Sequence, residues 1–255
     1  MDIIQVNRDN IDREHICCAL SDGFDACAAA KKAWMKARFD DGLTFRRLDA
    51  RGKVMIETIP AGHAWCPIEA DGYLHINCFW VSGQFKGQGW ANRLLDECIE
   101  DAKVHGFRGL TAVSSGKKRP FLSDGAYLRH RGFRVADTAQ PYFDLMVLPF
   151  GEDAPDPRFL DCAKAGECDL PGLVIYYCDQ CPHTGKYALL AREAAARQGR
   201  EIRLIKLESL EEVRRAPTAF PTYSLFVDGK LITNEILSQK KIEKLLQERE
   251  FSDKA

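Results

Sequence analysis

The stretch VSGQFKGQGWANRLL, Val81 to Leu95, decides how the first 150 residues are read. An apolar run, YLHINCFWV (Tyr73–Val81), leads into it. Trp90, Leu94, Leu95, Cys98, Ile99 and Ala102 follow at helical spacing. Gly87 and Gly89 therefore sit at a strand-to-helix junction. The first turn of a helix carries unpaired N–H groups and the positive end of the helix dipole. Glycine there lets an anion approach the backbone, because no Cβ intervenes. A tight turn alone would also favour glycine, so the flanking residues must decide. The dinucleotide pattern G-x-G-x-x-G fails, since Asn92 stands in place of its third glycine, and no Gly-Lys-Ser/Thr follows to make a Walker loop.

Working outward, strand and helix signals alternate. IIQVN reads as a strand, IDREHICCAL and AAAKKAWMKARF as helices, and LTFRRLDA and KVMIETIPAGHAWC as strands rich in β-branched and aromatic residues. GLTAVSS is a further strand, LSDGAYLRHRGF a short helix stopped by Gly132, and YFDLMVL a last strand. Pro149, Pro155, Pro157 and Pro171 then break the periodicity, and a linker over 150–171 is expected, with a short helical turn near Phe159–Lys164. This divides the chain into 1–149 and 172–255, both ordinary domain sizes. The class is mixed α/β.

Gln84, Phe85, Lys86, Gly87, Gln88 and Gly89 match the Gln/Arg-x-x-Gly-x-Gly/Ala signature of the GNAT superfamily of N-acetyltransferases without a gap. Val81 at the strand end, Leu94-Leu95 on the helix and AYLRHRGF ending in Gly132-Phe133 extend the resemblance over residues 1–150. It implies the GNAT acyl-CoA N-acyltransferase fold and acetyl-CoA as acyl donor. Amides of residues 85 to Trp90 would hold the pyrophosphate, and the strand through Phe79, Trp80 and Val81 would pair with the pantetheine arm. It also implies direct attack of an amine on the thioester, with a base taking the ammonium proton, an acid protonating the thiolate and backbone donors near a strand bulge facing the oxyanion. The sequence departs from the pattern at the acid. The family's tyrosine position is Leu128, and Tyr127 lies one place earlier, turned by about 100° on a helix. Tyr127 is thus the candidate acid or a core aromatic. His75 and Glu57 are the candidate bases, with a structural role for the strand histidine equally open.

After the linker, an apolar strand (Leu173–Tyr177) runs into Cys178-Asp179-Gln180-Cys181 and then a helix with Tyr187, Leu190, Ala191 and Ala194 on one face. A helix N-terminus stabilises a thiolate, and two residues between cysteines permit a disulfide. The remaining order, EIRLIKL, SLEEVRRA, AFPTYSLFVDGKLI with its Asp-Gly turn, and SQKKIEKLLQ, completes βαβαββα. That order, the Cys-x-x-Cys and Phe220-Pro221-Thr222 resemble the thioredoxin fold. The resemblance implies an exposed nucleophile at Cys178, a resolving thiol at Cys181 and a cis bond before Pro221, and the thiols are expected to serve redox or substrate handling, separate from acetyl transfer. The combination is similar to the YoaP-type acetyltransferases. Two alternatives stay open: a zinc site completed by Cys162 and Cys168, and a binding module whose cysteines are spectators.

The totals of 255 residues fit this reading: 45% hydrophobic, 29% charged, net charge -1. Such a balance gives no broad attraction to nucleic acid or anionic membrane. No apolar stretch reaches the roughly 20 residues of a bilayer span. Without an export signal, the ten cysteines are expected as reduced thiols in the cytoplasm, most of them small core residues, with no resident metal. The expected partner is a small-molecule or peptide amine. The competing reading is a non-catalytic CoA-dependent sensor, or a thiol- or metal-binding protein on the same folds.

Overall fold

A computed structural model describes residues 1–16, 18 and 25–248. A seven-stranded sheet is built from β1 (Ile3–Val6), β2 (Thr44–Leu48), β3 (Val54–Pro60), β5 (Leu74–Val81), β6 (Gly109–Ser115), β7 (Arg134–Ala139) and β8 (Phe143–Pro149), in the order β1-β2-β3-β5-β6-β8-β7. All neighbours are antiparallel except β5 and β6. The helix after the glycines, α2 (Trp90–Val104), buries Leu94, Leu95, Cys98 and Ala102 against Leu74, Ile76, Leu110 and Ala112 of the sheet. Leu128 of α3 (Gly125–His130) joins this cluster, whereas α1 (Asp25–Lys36) packs Trp34 and Met35 with Phe45, Met55 and Ile59 on the opposite face. Asp124 starts α3 by accepting the backbone N–H groups of Ala126 and Tyr127, an N-cap that satisfies two orphan donors.

The expected helix IDREHICCAL is not formed in its described part. Residues 11–14 are turns, because Asn7 and Asn10 bond each other's backbone and draw the chain into consecutive tight turns. Residues 17, 19 and 20 of that stretch lie outside the described residues. Segment 150–171 is no loose tether. Its β9 (Arg158–Phe159) pairs with β4 (Ile68–Glu69), Phe159 is fully buried, and α4 (Asp161–Lys164) follows.

Residues 173–233 build a second sheet from β10 (Leu173–Tyr177), β11 (Ile202–Lys206), β12 (Tyr223–Val227) and β13 (Lys230–Thr233). Its order is β11-β10-β12-β13, parallel between β10 and β11 and antiparallel elsewhere. Helix α5 (Thr184–Ala196) presents Ala188, Ala191, Ala194 and Ala195, small side chains that let it close on the sheet and on α7 (Gln239–Glu248). The short α6 (Leu210–Arg214) opens with a capping box between Ser209 and Glu212. One hydrophobic core joins the two sheets: Phe45, Trp65 and Phe143 share it with Val174, Cys178 and Phe226. Among the described residues no helix is long and apolar enough to cross a membrane.

Candidate functional site

The glycine turn has the geometry that an anion cradle needs. Gly83, Gly87 and Gly89 have φ of 64°, 75° and 83°, and no atom lies within 4 Å of a Cβ built on any of them. The left-handed backbone disfavours other residues, and the space beside it is open. The first α2 bond runs from Arg93 N–H to Gly89 O, so the amides of residues 90–92 precede the helix ladder and face its N-terminal end. Phe85 is buried and anchors the turn from below.

The strand that enters the turn is open along one edge. β5 pairs with β6 only over Leu74–Ile76, opposite Leu110–Ala112, and beyond that point the parallel register stops. On its other side β5 continues along β3 to Val81, with a bulge: Glu57 faces Cys78 and Thr58 faces Ile76, so Asn77 is the extra residue. Phe79, Trp80 and Val81 thus have one edge on β3 and one edge free of the β6 ladder. The expected CoA-binding residues, 79–81 and 84–90, run from beyond the bulge to the head of α2.

The bulge opens into a cavity of about 270 Å³. Glu57, His75, Cys78 and Phe79 line it from the first sheet, and Cys181 and Pro221 from the segments after β10 and before β12. The two motifs, read from the sequence as chemically separate, meet in space: Cys181 and residues 220–222 stand on the wall of the cavity that holds the candidate bases.

Glu57 is fully buried, with Oε2 on Lys31 Nζ at 2.5 Å and Oε1 accepting from Asn77 Nδ2 at 3.1 Å. Lys31, on α1, also lies 4.2 Å from the centre of the Trp34 ring. His75 is buried too, its Nδ1 3.0 Å from Thr111 Oγ1, and burial pushes its pKa down to about 4. It is neutral near pH 7. Tyr127 does not line the cavity. Its ring packs edge-on against Phe79 at 5.6 Å, and its hydroxyl donates to Asn92 Oδ1 at 3.1 Å, beside the head of α2. Burial raises its pKa, so the phenol stays protonated.

The thiols depart from expectation. Cys178 is fully buried at the end of β10, six residues before α5 begins at Thr184, too far to feel the helix terminus. Burial pushes Cys178 and Cys181 each up to about 12, and Cys181 is the one that reaches the cavity. The roles implied for an exposed Cys178 and a shielded Cys181 are reversed in accessibility. The Phe220–Pro221 peptide is trans. Among the described residues the cis bond is Gln140–Pro141. Phe220 is held from both sides, its N–H on Thr218 Oγ1 and its carbonyl accepting from Ser224 Oγ, and this clamp fixes the extended turn. The zinc alternative fails on placement. Cys162 and Cys168 turn to the carbonyls of Arg214 and Leu170, and no described group of three His, Cys, Asp or Glu is placed to hold a metal.

Sequence reasoning missed four residues of the site: Lys31, Asn77, Gln180 and Tyr223. Lys31 lies in a helix of ordinary charged composition, and Asn77 is distinguished only by the bulge. Gln180 was visible as an interior position of Cys-x-x-Cys, but nothing local marked it as a wall residue. Tyr223 read as one more strand aromatic.

The Acetyltransferase (GNAT) family matches residues 13–122, and the YoaP-like family matches residues 201–244. The "Uncharacterized N-acetyltransferase YoaP" of Bacillus subtilis (strain 168) is 44% identical over 244 residues, covering 95% of this chain and 97% of that protein. An acetyltransferase of the GNAT family from Staphylococcus aureus Mu50 is 15% identical, covering 59% of this chain and 99% of its own, with a TM-score of 0.41. A GNAT acetyltransferase from Brucella melitensis in complex with acetyl-CoA is 16% identical, covering 63% and 96%, with a TM-score of 0.39. On the relative that matches it nearly end to end, the chain belongs to the YoaP-type N-acetyltransferases of the GNAT family, whose acyl donor is acetyl-CoA.

Proposed function

We propose that this chain transfers acetyl from acetyl-CoA to the nitrogen of an amine held in the cavity between its two sheets. The observation that carries the reading is the continuity of three features. The open glycine turn at the head of α2, the edge of β5 from Asn77 to Val81 beyond the β6 ladder and the cavity at the bulge follow one another along the chain. Bound there, the donor supplies an activated acetyl thioester. The amides around Gly87, Gly89 and Trp90 would hold its diphosphate, and the β5 edge its pantetheine arm.

Glu57 is the group we assign to receive the proton of the acceptor's ammonium. It is the carboxylate on the cavity wall, and Lys31 and Asn77 fix its orientation. His75 is set aside as base because its ring is sealed between strands and its Nδ1 is engaged by Thr111 Oγ1. Tyr127, protonated and beside Phe79, is retained as the proton donor on the donor side of the site.

The division we assign is an acetyltransferase domain over 1–149, a docked connecting segment over 150–171 and a thioredoxin-like domain over 172–255. The strand order β11-β10-β12-β13 and its directions support the last assignment. We assign Cys181 to the wall of the acceptor cavity rather than to dithiol turnover, since its partner Cys178 is sealed. Titration calorimetry with acetyl-CoA tests the donor site. Gly87→Val and Gly89→Val are expected to weaken binding at least tenfold, as the new side chains enter the open space and strain a left-handed backbone by about 1–2 kcal/mol. Unchanged affinity in folded variants would remove the assignment, and tight binding without turnover on any amine would favour a CoA sensor instead.

A further inference from the structure

Among the described residues, two that are not glycine have positive φ, Phe121 and Asp228. Asp228 stands in the two-residue Asp-Gly turn between β12 and β13, where such a backbone is ordinary. Phe121 is different. It lies in the segment between β6 and α3 with φ of 66°, a left-handed conformation that a bulky side chain adopts only under constraint. Its neighbours supply the constraint. The Arg119 guanidinium lies 3.4 Å from the centre of the Tyr142 ring, and the Pro120 carbonyl accepts from Asn234 Nδ2 at 3.4 Å. On the other side Leu122 is buried in the core, and the Ser123 carbonyl accepts from Ser114 Oγ at 2.8 Å. The chain is thus tied down before and after Phe121, while Phe121 itself is 38% exposed. Strain of this kind persists only where the surroundings enforce it, and it gathers at ligand-binding sites. A strained residue whose side chain is left outside the core points to a use for that side chain.

That use is at the cavity. Of the exposed large apolar side chains among the described residues, Phe121 and Trp80 are the two that line it. Trp80 comes from β5 beyond the point where the β6 pairing stops, and Phe121 from the segment that β6 runs into. Residues that line a cavity and are also exposed mark where it meets solvent. Half-buried Phe79 and Phe220 add two aromatic residues that solvent still reaches. We propose that Phe121 is a specificity-determining residue of the acceptor site, its left-handed backbone retained because it sets the ring at the cavity's open side, against the apolar body of an aromatic amine. The inference rests on the reading of acetyl transfer to an amine in this cavity. Aromatic rings gain from offset or edge-to-face contact beyond the area they bury. Small-molecule sites pair such apolar walls with a few polar groups that fix orientation, here the Lys31–Glu57 pair. An amine without an apolar body would leave the exposed rings in water and gain nothing from them.

Phenethylamine and ethanolamine, which share a primary amine and differ in the apolar body, are the probes, used with the full-length protein. Binding is read from tryptophan fluorescence, to which Trp65 and Trp80 of the wall contribute, and acetylation from mass spectrometry of the product. Wild type is expected to bind phenethylamine and to acetylate it in preference to ethanolamine. Phe121→Ala and Phe121→Gly should each raise the Kd and KM for phenethylamine about fivefold, with kcat and the acetyl-CoA Kd unchanged. Phe121→Tyr, which keeps the ring, should stay within about twofold of wild type. In urea denaturation Phe121→Gly should be more stable than Phe121→Ala, the reverse of the usual order. Both lose the ring, and only glycine relieves the left-handed backbone. Four results overturn the proposal: phenethylamine Kd and KM unchanged in both truncated variants, Phe121→Ala at least as stable as Phe121→Gly, wild type preferring ethanolamine, or wild type neither binding nor acetylating phenethylamine. Absent acetyl-CoA binding in calorimetry is the separate failure of the acetyltransferase reading. Phenethylamine binding needs no donor and still decides the role of Phe121 in that case.

Discussion

Replacing His75 by Asn gives the sharpest test of how the candidate site is built. His75 stands on β5 between Ile59 of β3 and Thr111 of β6, is 3% exposed, and is held by one contact from Nδ1 to Thr111 Oγ1. Burial takes its pKa from 6.5 to about 4. Between those values the unfolded chain binds a proton that the folded chain refuses, so stability rises with pH across the window and falls as pH drops from 6.5 towards 4. The full difference of about 2.5 units corresponds to about 3.4 kcal/mol, of which about 2.5 kcal/mol is lost by pH 4.5. Asn reproduces the position of Nδ1 but does not titrate. At pH 7.5 the variant should be less stable by about 1 kcal/mol, for an imperfect hydrogen bond and lost packing. At pH 4.5 it should be the more stable of the two by about 1.5 kcal/mol, the difference between that cost and the removed penalty. Urea denaturation of both proteins at a series of pH values gives the comparison. Other titrating groups act equally in both and cancel in the difference. A wild-type-minus-variant difference that does not change between pH 7.5 and 4.5 would falsify the placement of His75 as a sealed, neutral imidazole.

The buried pair and the thiols give two further tests. Glu57→Gln leaves the Lys31 ammonium, 4% exposed in its side chain, without its counterion, and should cost about 3–5 kcal/mol in chemical denaturation. Lys31→Met combined with Glu57→Leu should recover most of that loss, and a single-variant cost below about 1 kcal/mol would show that the pair is not buried. In alkylation at pH 7.5 followed by mass spectrometry, Cys18 should label ahead of Cys178. A hydrogen bond from Cys78 and the nearby Lys53 and Lys31 lower the pKa of Cys18, whereas burial holds Cys178 up at about 12. Equal labelling rates would refute the buried placement of Cys178.

What was legible in the sequence was local. The glycine turn could be read because a backbone at positive φ beside open space demands glycine at set positions, and the demand is written in the residues themselves. The α2 stripe was legible for the same reason: Leu94, Leu95, Cys98 and Ala102 keep helical period and are the residues that the sheet buries. The reactivity of Cys178 was not legible. It depends on the first sheet covering the second, a contact between residues far apart in the chain, and on α5 starting at Thr184 rather than at the cysteine. Segment 150–171 read as a linker because prolines break periodicity, and proline cannot report that Phe159 between them is a core residue. The site's polar atoms were the hardest to foresee. Asn77 matters because of one bulge, and Gln180 because of one domain contact.

Contacts from the C-terminal residues to the first sheet's half of the chain hold the walls of the cavity in place. Asn234, only 2% exposed, uses its whole polar side chain and its backbone on the other domain. Its Oδ1 accepts from Tyr142 OH at 2.8 Å, its Nδ2 donates to Pro120 O at 3.4 Å, and its backbone N–H donates to Tyr142 OH at 3.2 Å. Arg214 adds a bond to Ile68 O, and Cys66 Sγ one to Ala219 O. Pro120, Cys66, Ala219 and Asn234 are all wall residues. The bonds that join the domains are thus also the bonds that place the wall. A close-packed interior does not deform smoothly, so a shift of the C-terminal domain would break several of these contacts together rather than widen the cavity by degrees. On the proposed reading, acceptor selection in such a site follows from a fixed shape to which the C-terminal residues contribute one wall.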